Sequence, residues 1–236
     1  EYKNYTHDIQ VMMRFIRNKY NLNFGVMIQP QRSNFIYDYM GNHTDTVRTV
    51  TNFSPTLDFR YRFSKMSNLR INYRGTTSQP SISQLLNVVD DSDPLNISKG
   101  NPGLKPSFTQ NFRLFYNNFV QNHNKGVMTF VNFSTTRNSI SNKVEYDEKT
   151  GGRTTTPENI NGNWNVMGAS CSTVLAIVRA LEINTGAHAN YNNYVSYLSV
   201  DQNSSSLKNT TRSLTWRQNL SLSYRNDWAE FSLRRE

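Results

Sequence analysis

The chain has 236 residues, of which 36% are hydrophobic and 12% aromatic, with a formal charge of +9, a mean hydropathy of −0.68 and one cysteine. A single cysteine excludes an internal disulfide scaffold, 13 Tyr and 13 Phe are too many for a disordered polar chain, and no run of 18 apolar residues offers a transmembrane helix. The apolar share is small for a two-layer soluble core, but it suffices where one residue in two, over short segments, faces an apolar medium.

The chain begins with Glu1-Tyr2-Lys3-Asn4 and reads as strand from the outset. A basic start followed by an apolar stretch would mark a signal peptide, and neither is present, so the expectation is an internal piece of a longer protein. Alternation with period two follows. Tyr20, Leu22, Phe24, Val26 and Ile28 are apolar, with Asn21, Asn23, Gly25 and Gln29 between them. Phe53, Leu57, Phe59, Tyr61 and Phe63 alternate with Ser54, Thr56, Asp58, Arg60 and Arg62. Leu69, Ile71 and Tyr73 alternate with Arg70, Asn72 and Arg74. Strands send successive side chains to opposite faces, so each segment has one apolar and one wet face.

The middle of the chain is noisier. Phe108, Phe112, Leu114 and Tyr116 share a parity that Phe115 breaks; Val127, Val131 and Phe133 share another, with Met128 and Phe130 opposite. Residues 164–178 lack clean alternation and read as a strand near a membrane boundary, although 174–178 also fits a short helix. Clean alternation returns with Leu214, Trp216, Leu220, Leu222 and Tyr224.

The connections alternate in length. Short turns are expected near 17–19, 64–68, 121–124, 179–180 and 225–227, and long polar connections at 30–47, 77–107, 138–163 and 198–211. Tight turns on one side and long loops on the other are the rhythm of an outer-membrane barrel. The predicted fold class is therefore all-β, an antiparallel transmembrane β-barrel of about ten strands in one domain over 1–236, many strands projecting beyond the hydrocarbon.

Residues 78–106 carry the most specific signal. They read Ser-Gln-Pro-Ser-Ile-Ser-Gln-Leu-Leu, then Asp-Asp-Ser-Asp-Pro-Leu-Asn-Ile-Ser-Lys, then Gly-Asn-Pro-Gly-Leu-Lys-Pro. This resembles TonB-dependent receptor barrels, and within them the Bacteroidetes-type outer-membrane β-barrel family. The matching positions are Pro80, Ser81, Leu85, Asp93, Pro94, Leu95, Gly100, Asn101, Pro102, Leu104, Lys105 and Pro106. Two positions depart from the family pattern: Ser78-Gln79 stands where Arg-Ala is common, and Ser107 where Glu is common. The resemblance implies a parent receptor in the bacterial outer membrane with a 22-stranded barrel, plugged by a domain not seen in this chain and driven by TonB, for uptake of a large or scarce solute. It further implies contact with outer-membrane lipid. A surface lipoprotein lid occurs in some related receptors, but nothing in this sequence requires one.

On its own residues the motif reads as loop-shaping. Pro102 and Pro106 fix φ and cannot donate to a ladder, and Gly100 and Gly103 are expected to turn the chain at positive φ. Arg60, Arg62, Arg70 and Arg74 share one parity on two strands joined by a short turn. With their neighbours facing lipid, they face a lumen, because a charge at the lipid midplane costs about 2–4 kcal/mol. Two readings stay open for them: a basic wall that meets a plug or an anionic solute, and plain lumen solvation with Arg–carboxylate pairing.

Other chemistry is sparse. His7, His43, His123 and His188 lack metal-ligand or triad spacing. Residues 90–93 lack the glycine and distant glutamate of a calcium loop, and Cys171 lies in a strand-like segment. No cofactor, metal or enzymatic role is expected. The spread of Arg along strands, without a dense basic run or motif, speaks against nucleic acid. Two rivals remain: a secreted β-sandwich adhesin or glycan binder, and a small self-contained barrel.

Overall fold

The computed structural model describes residues 2–39, 41–120, 125–176, 180–198, 200–201 and 207–236. In chain order its elements are β1 (Tyr2–Thr6), β2 (Ile9–Ile16), β3 (Tyr20–Tyr39), β4 (Asn42–Ser64), β5 (Ser67–Ser78), α1 (Ile82–Leu85), β6 (Val89–Asp90), β7 (Asn96–Lys99), β8 (Ser107–Val120), β9 (Lys125–Arg137), β10 (Ser139–Tyr146), β11 (Arg153–Ile160), β12 (Asn163–Ala176), β13 (Leu181–Tyr197), β14 (Val200–Asp201), β15 (Lys208–Asn226) and β16 (Ala229–Arg235).

The main sheet is antiparallel throughout, in the order β1-β3-β4-β5-β8-β9-β12-β13-β15-β16. Both β1 and β2 pair with β3, one beyond the other, so together they form a single stave broken at His7-Asp8. Counted this way the wall has ten staves among the described residues, as the alternation predicts. Chain neighbours pair with chain neighbours, which places the tight connections at one end. These include Arg17-Asn18-Lys19, Lys65-Met66 and Asp227-Trp228. The turns expected at 121–124 and at residue 179 lie outside the described residues.

The register sorts side chains cleanly. One face carries rows such as Met13, Phe24 and Leu57, or Ile71, Leu114 and Val131. Rings on this face form two chains: Tyr20, Phe59, Tyr61, Phe63 and Tyr116 towards the short turns, and Tyr73, Phe112, Phe133, Trp164 and Tyr191 towards the long connections. Successive centroids in the second chain are 4.6–6.3 Å apart. Large apolar side chains here stay exposed: Phe24 is 43%, Leu214 67% and Phe231 66% accessible. Among the described residues the buried hydrophobic side chains are only Leu104, Ile160 and Val195, all near the long connections. The wall therefore has no dry interior, and its apolar surface points outward in the manner of a membrane barrel with aromatic girdles.

The long connections differ from expectation. Residues 30–39 and 42–47 are strand and not loop: the β3–β4 ladder runs without a break from Pro30↔Thr51 to Tyr39↔Asn42. Thr46, Val47, Thr49 and Val50 suit a strand, and above the membrane both faces of a ladder are wet, so polarity does not separate strand from loop. The other three connections fold together. They supply a second sheet in the order β14-β10-β11-β7-β6, with β10–β11 and β6–β7 antiparallel and β11–β7 and β10–β14 parallel. Of the ambiguous stretch 174–178, residues 174–176 are strand, and 177–178 lie outside the described residues.

Candidate functional site

The motif is the joint between the wall and the second sheet. Pro80 is buried, and Ser81 opens the single turn of α1, its N–H donating to Gln84 Oε1 at 3.0 Å. Leu85 closes that turn by donating to Ser81 O at 3.2 Å. Asp93 and Pro94 build a β-turn. Asn96 N–H donates to Asp93 O at 2.9 Å, and the Asp93 carboxylate accepts from Leu95 N–H at 3.0 Å and from Asn96 Nδ2 at 2.7 Å. Asp at the first and Pro at the second turn position is the favoured chemistry. The same bonds, chiefly that from Asn96, hold the Asp93 carboxyl below its ordinary pKa. Ser92 does likewise for Asp90.

Asn101 ties three segments. Its N–H donates to Gln84 O at 2.6 Å, its Nδ2 to Pro157 O at 3.0 Å, and its Oδ1 accepts from Gly103 N–H at 2.9 Å. Pro102 and Gly103 occupy the turn closed by Leu104 N–H on Asn101 O. Lys105 is then pinned by Asn159 of β11. Lys105 N–H donates to Asn159 Oδ1 at 2.8 Å, and Asn159 Nδ2 donates to Lys105 O at 2.9 Å. That amide also reaches Asn138 O at 2.9 Å, and Tyr197 Oη donates to Asn159 O at 2.8 Å. Asn159 thus acts as an extra rung between chain segments 54 residues apart. Pro106 delivers the chain into β8.

The reason for Gly100 differs from the one expected. Positive φ occurs at Gly41, Gly151 and Gly162, and at neither Gly100 nor Gly103. At Gly100 the need is space: a Cβ there would stand 1.8 Å from Leu86 O. A backbone atom cannot step aside as a flexible side chain can. We expect Gly100→Ala to pry 84–86 from 100–101 at a cost of about 1–3 kcal/mol, the usual penalty of overpacking. Limited trypsinolysis at Lys99 checks this, since wild-type resistance in the variant would show that the crossing tolerates a methyl group.

The four arginines lie on the polar face. Arg60 and Arg70 are register partners. Both lean on Asp58: Arg70 Nη2 is 3.2 Å from Oδ2 and Arg60 Nε 3.6 Å from Oδ1. Arg70 Nε also donates to Asn72 Oδ1 at 3.0 Å. Arg62 and Arg74 have no carboxylate within ion-pair distance among the described residues. Arg74 and Arg113 border a depression of about 530 Å³ with Asn23, Asn72 and Asn111. Asp58 shares the parity of Arg60 in the sequence, and the register brings Arg70 to it as well.

Of the histidines, His43 contacts Asp38, His188 sits in the wall opposite Arg217, and His123 lies outside the described residues. Among the described residues no three metal-ligating side chains gather. Cys171 is an exposed residue of β12.

Residues 5–233 match the outer membrane protein beta-barrel family. The chain belongs to that family, and its place is the bacterial outer membrane, with the apolar face against lipid. No curated protein matches it. Solved structures that resemble it include the copper transporter OprC, at 10% identity and TM-score 0.49, where 98% of this chain covers 41% of that one. The siderophore receptor PirA from Pseudomonas aeruginosa stands at 13% identity and TM-score 0.40, with 95% and 51% covered. A mutant of the ferric enterobactin receptor PfeA from Pseudomonas aeruginosa stands at 12% and 0.44, with 95% and 46% covered. The chain spans about half the length of these proteins or less.

Proposed function

We propose that the chain is part of the barrel wall of a TonB-dependent receptor that takes up a large or scarce solute. The observation that carries this is the motif at 100–106, built here as a hub that gathers three long connections into one sheet at one end of a membrane wall. A self-contained enzyme barrel has no need of such a cap, and the reading assigns no catalytic role. The ten-stave wall has two open edges among the described residues, and open edges are not tolerated in lipid. The parent therefore supplies further strands, about 22 in all in receptors of this kind, and the polar face lines their lumen. The partners that follow are lipid, TonB and a plug domain. A surface lipoprotein would meet the second sheet.

Two measurements on the parent test the reading. Energised uptake of its solute is expected to vanish when TonB is deleted, and unchanged uptake would overturn the assignment. The arginines are tested within it. Arg60→Gln with Arg70→Gln is expected to leave uptake intact, because these side chains are exposed and balance Asp58, worth about 0–1 kcal/mol. Arg62→Gln with Arg74→Gln is expected to slow uptake several-fold if the wall guides an anionic solute. An unchanged rate leaves them as solvated lining.

A further inference from the structure

The lipid-facing side of the wall is apolar along the crossing and turns cationic where the crossing ends. A tilted strand spans the hydrocarbon in about 9–11 residues. Counted along that face from Tyr20 on β3, Val127 on β9 and Tyr224 on β15, the first charged side chains are Arg32, Arg137 and Arg212. All three are exposed. They stand towards the long connections, which is the side of the outer leaflet. Among the described residues none of the three has a carboxylate within ion-pair distance. On β3 and β4 the carboxylates of this face, Asp38 and Asp45, come only farther along the hairpin.

Around Arg32 the charge sits in a shaped receptor. Tyr5 of β1 stands opposite Arg32 and Lys3 opposite Asn34, while His7 N–H donates to Pro30 O at 3.1 Å. Thr49 of β4 pairs with Arg32 on the other side. Tyr5, His7, Pro30, Arg32, Asn34 and Thr49 line a depression of about 560 Å³. Directly below it on the same face, towards the short turns, Ile9, Ile28 and Phe53 form an exposed apolar row. The depression therefore opens on hydrocarbon at one end and on water at the other. Its lining offers a guanidinium, an imidazole, an amide, a hydroxyl and a phenol, all able to donate hydrogen bonds. An occupant that fits has an acceptor-rich anionic head joined to an apolar body. Phosphate suits the head, because it takes a two-pronged bond from the guanidinium and keeps oxygens for further donors. Free phosphate would leave the apolar row uncovered. The outer leaflet of such a membrane is built from phosphorylated glycolipid, which combines head and body.

We propose that this depression binds the phosphate-bearing headgroup of an outer-leaflet glycolipid, whose acyl chains lie along Ile9, Ile28 and Phe53. Arg32 holds the phosphate, Lys3 and His7 add donors from β1, and Tyr5 and Thr49 meet the adjoining sugar hydroxyls. The site needs only the membrane placement of the wall and stands apart from the receptor reading.

The test uses the full-length parent, extracted from its own outer membrane in mild detergent and washed, with bound lipid identified by mass spectrometry of the intact complex. The wild type is expected to retain a phosphorylated glycolipid. Arg32→Gln with His7→Gln is expected to lower that retention at least about tenfold, the worth of a lost charge-assisted pair, with heat-modifiable mobility unchanged. Arg32→Lys keeps the charge without the fork and is expected to fall between. Arg113→Gln removes the same charge from the wet face and is expected to retain lipid as the wild type does. Enzymatic removal of the glycolipid phosphate in the living cell is expected to reproduce the loss with wild-type protein, which decides the matter even where the double variant fails to fold. Equal retention by the double variant and the wild type overturns the site, as does retention that survives removal of the phosphate. A diacyl phospholipid or inorganic phosphate found in place of the glycolipid overturns it too, as does an equal loss in Arg113→Gln.

Discussion

Replacing Phe24 by lysine is expected to cost the barrel about 2–4 kcal/mol, the penalty for Lys at the lipid midplane of a barrel. Phe24 lies in the centre of the apolar run of β3, between Met13 of β2 and Leu57 of β4. All three side chains share one face, so a charge there has lipid around it and no carboxylate to meet. Asn23 is the control one residue away. It faces the other side, directly opposite Asp58, and Asn23→Lys is expected to change stability by less than about 1 kcal/mol. Urea-dependent loss of the folded band in detergent measures both. Equal effects at 23 and 24 would mean that the faces are not divided between lipid and water.

The second large effect is expected at Asn159. Its amide makes three of the bonds that hold Lys105 and Asn138, and its carbonyl accepts a fourth from Tyr197. Asn159→Leu keeps the branched shape and removes the three amide bonds. At about 0.5–1.5 kcal/mol each the loss is about 2–4 kcal/mol, borne by the second sheet and not by the wall. Trypsin cleavage at Lys143 and Arg153 is expected to accelerate by about tenfold or more, with the barrel still folded. Asn159→Gln keeps the chemistry at the wrong reach and is expected to fall between. Wild-type resistance in the leucine variant would show that the three connections are not joined through this residue.

The wall was legible in the sequence because lipid on one side enforces a period of two, as in 20–28, 53–63 and 214–224. Where that pattern faltered, the reason was physical. Phe115, Met128 and Phe130 are apolar residues on the wet face, and to a parity count they are noise. The second sheet was not legible, because β11 is polar along most of its length and shows no sustained alternation to announce it. The arginines of β4 and β5 shared a face as expected, yet their pairing with Asp58 depends on register, which a hairpin turn with a bulge between Arg62 and Ser64 sets. The motif was recognisable as a string, but the role of Gly100 was not. The contact that demands it comes from Leu86, fourteen residues back by number and adjacent only once α1 has folded. Asn159 gave no signal, since one asparagine among many becomes a staple only through a partner 54 residues away.

The most direct test of the account is fractionation of the full-length parent, read by gel mobility with and without boiling. The account predicts a protein released from the outer membrane only by detergent, whose mobility shifts on boiling as a folded barrel opens. A protein that is freely soluble and runs identically before and after boiling would contradict it and favour a secreted β-sandwich.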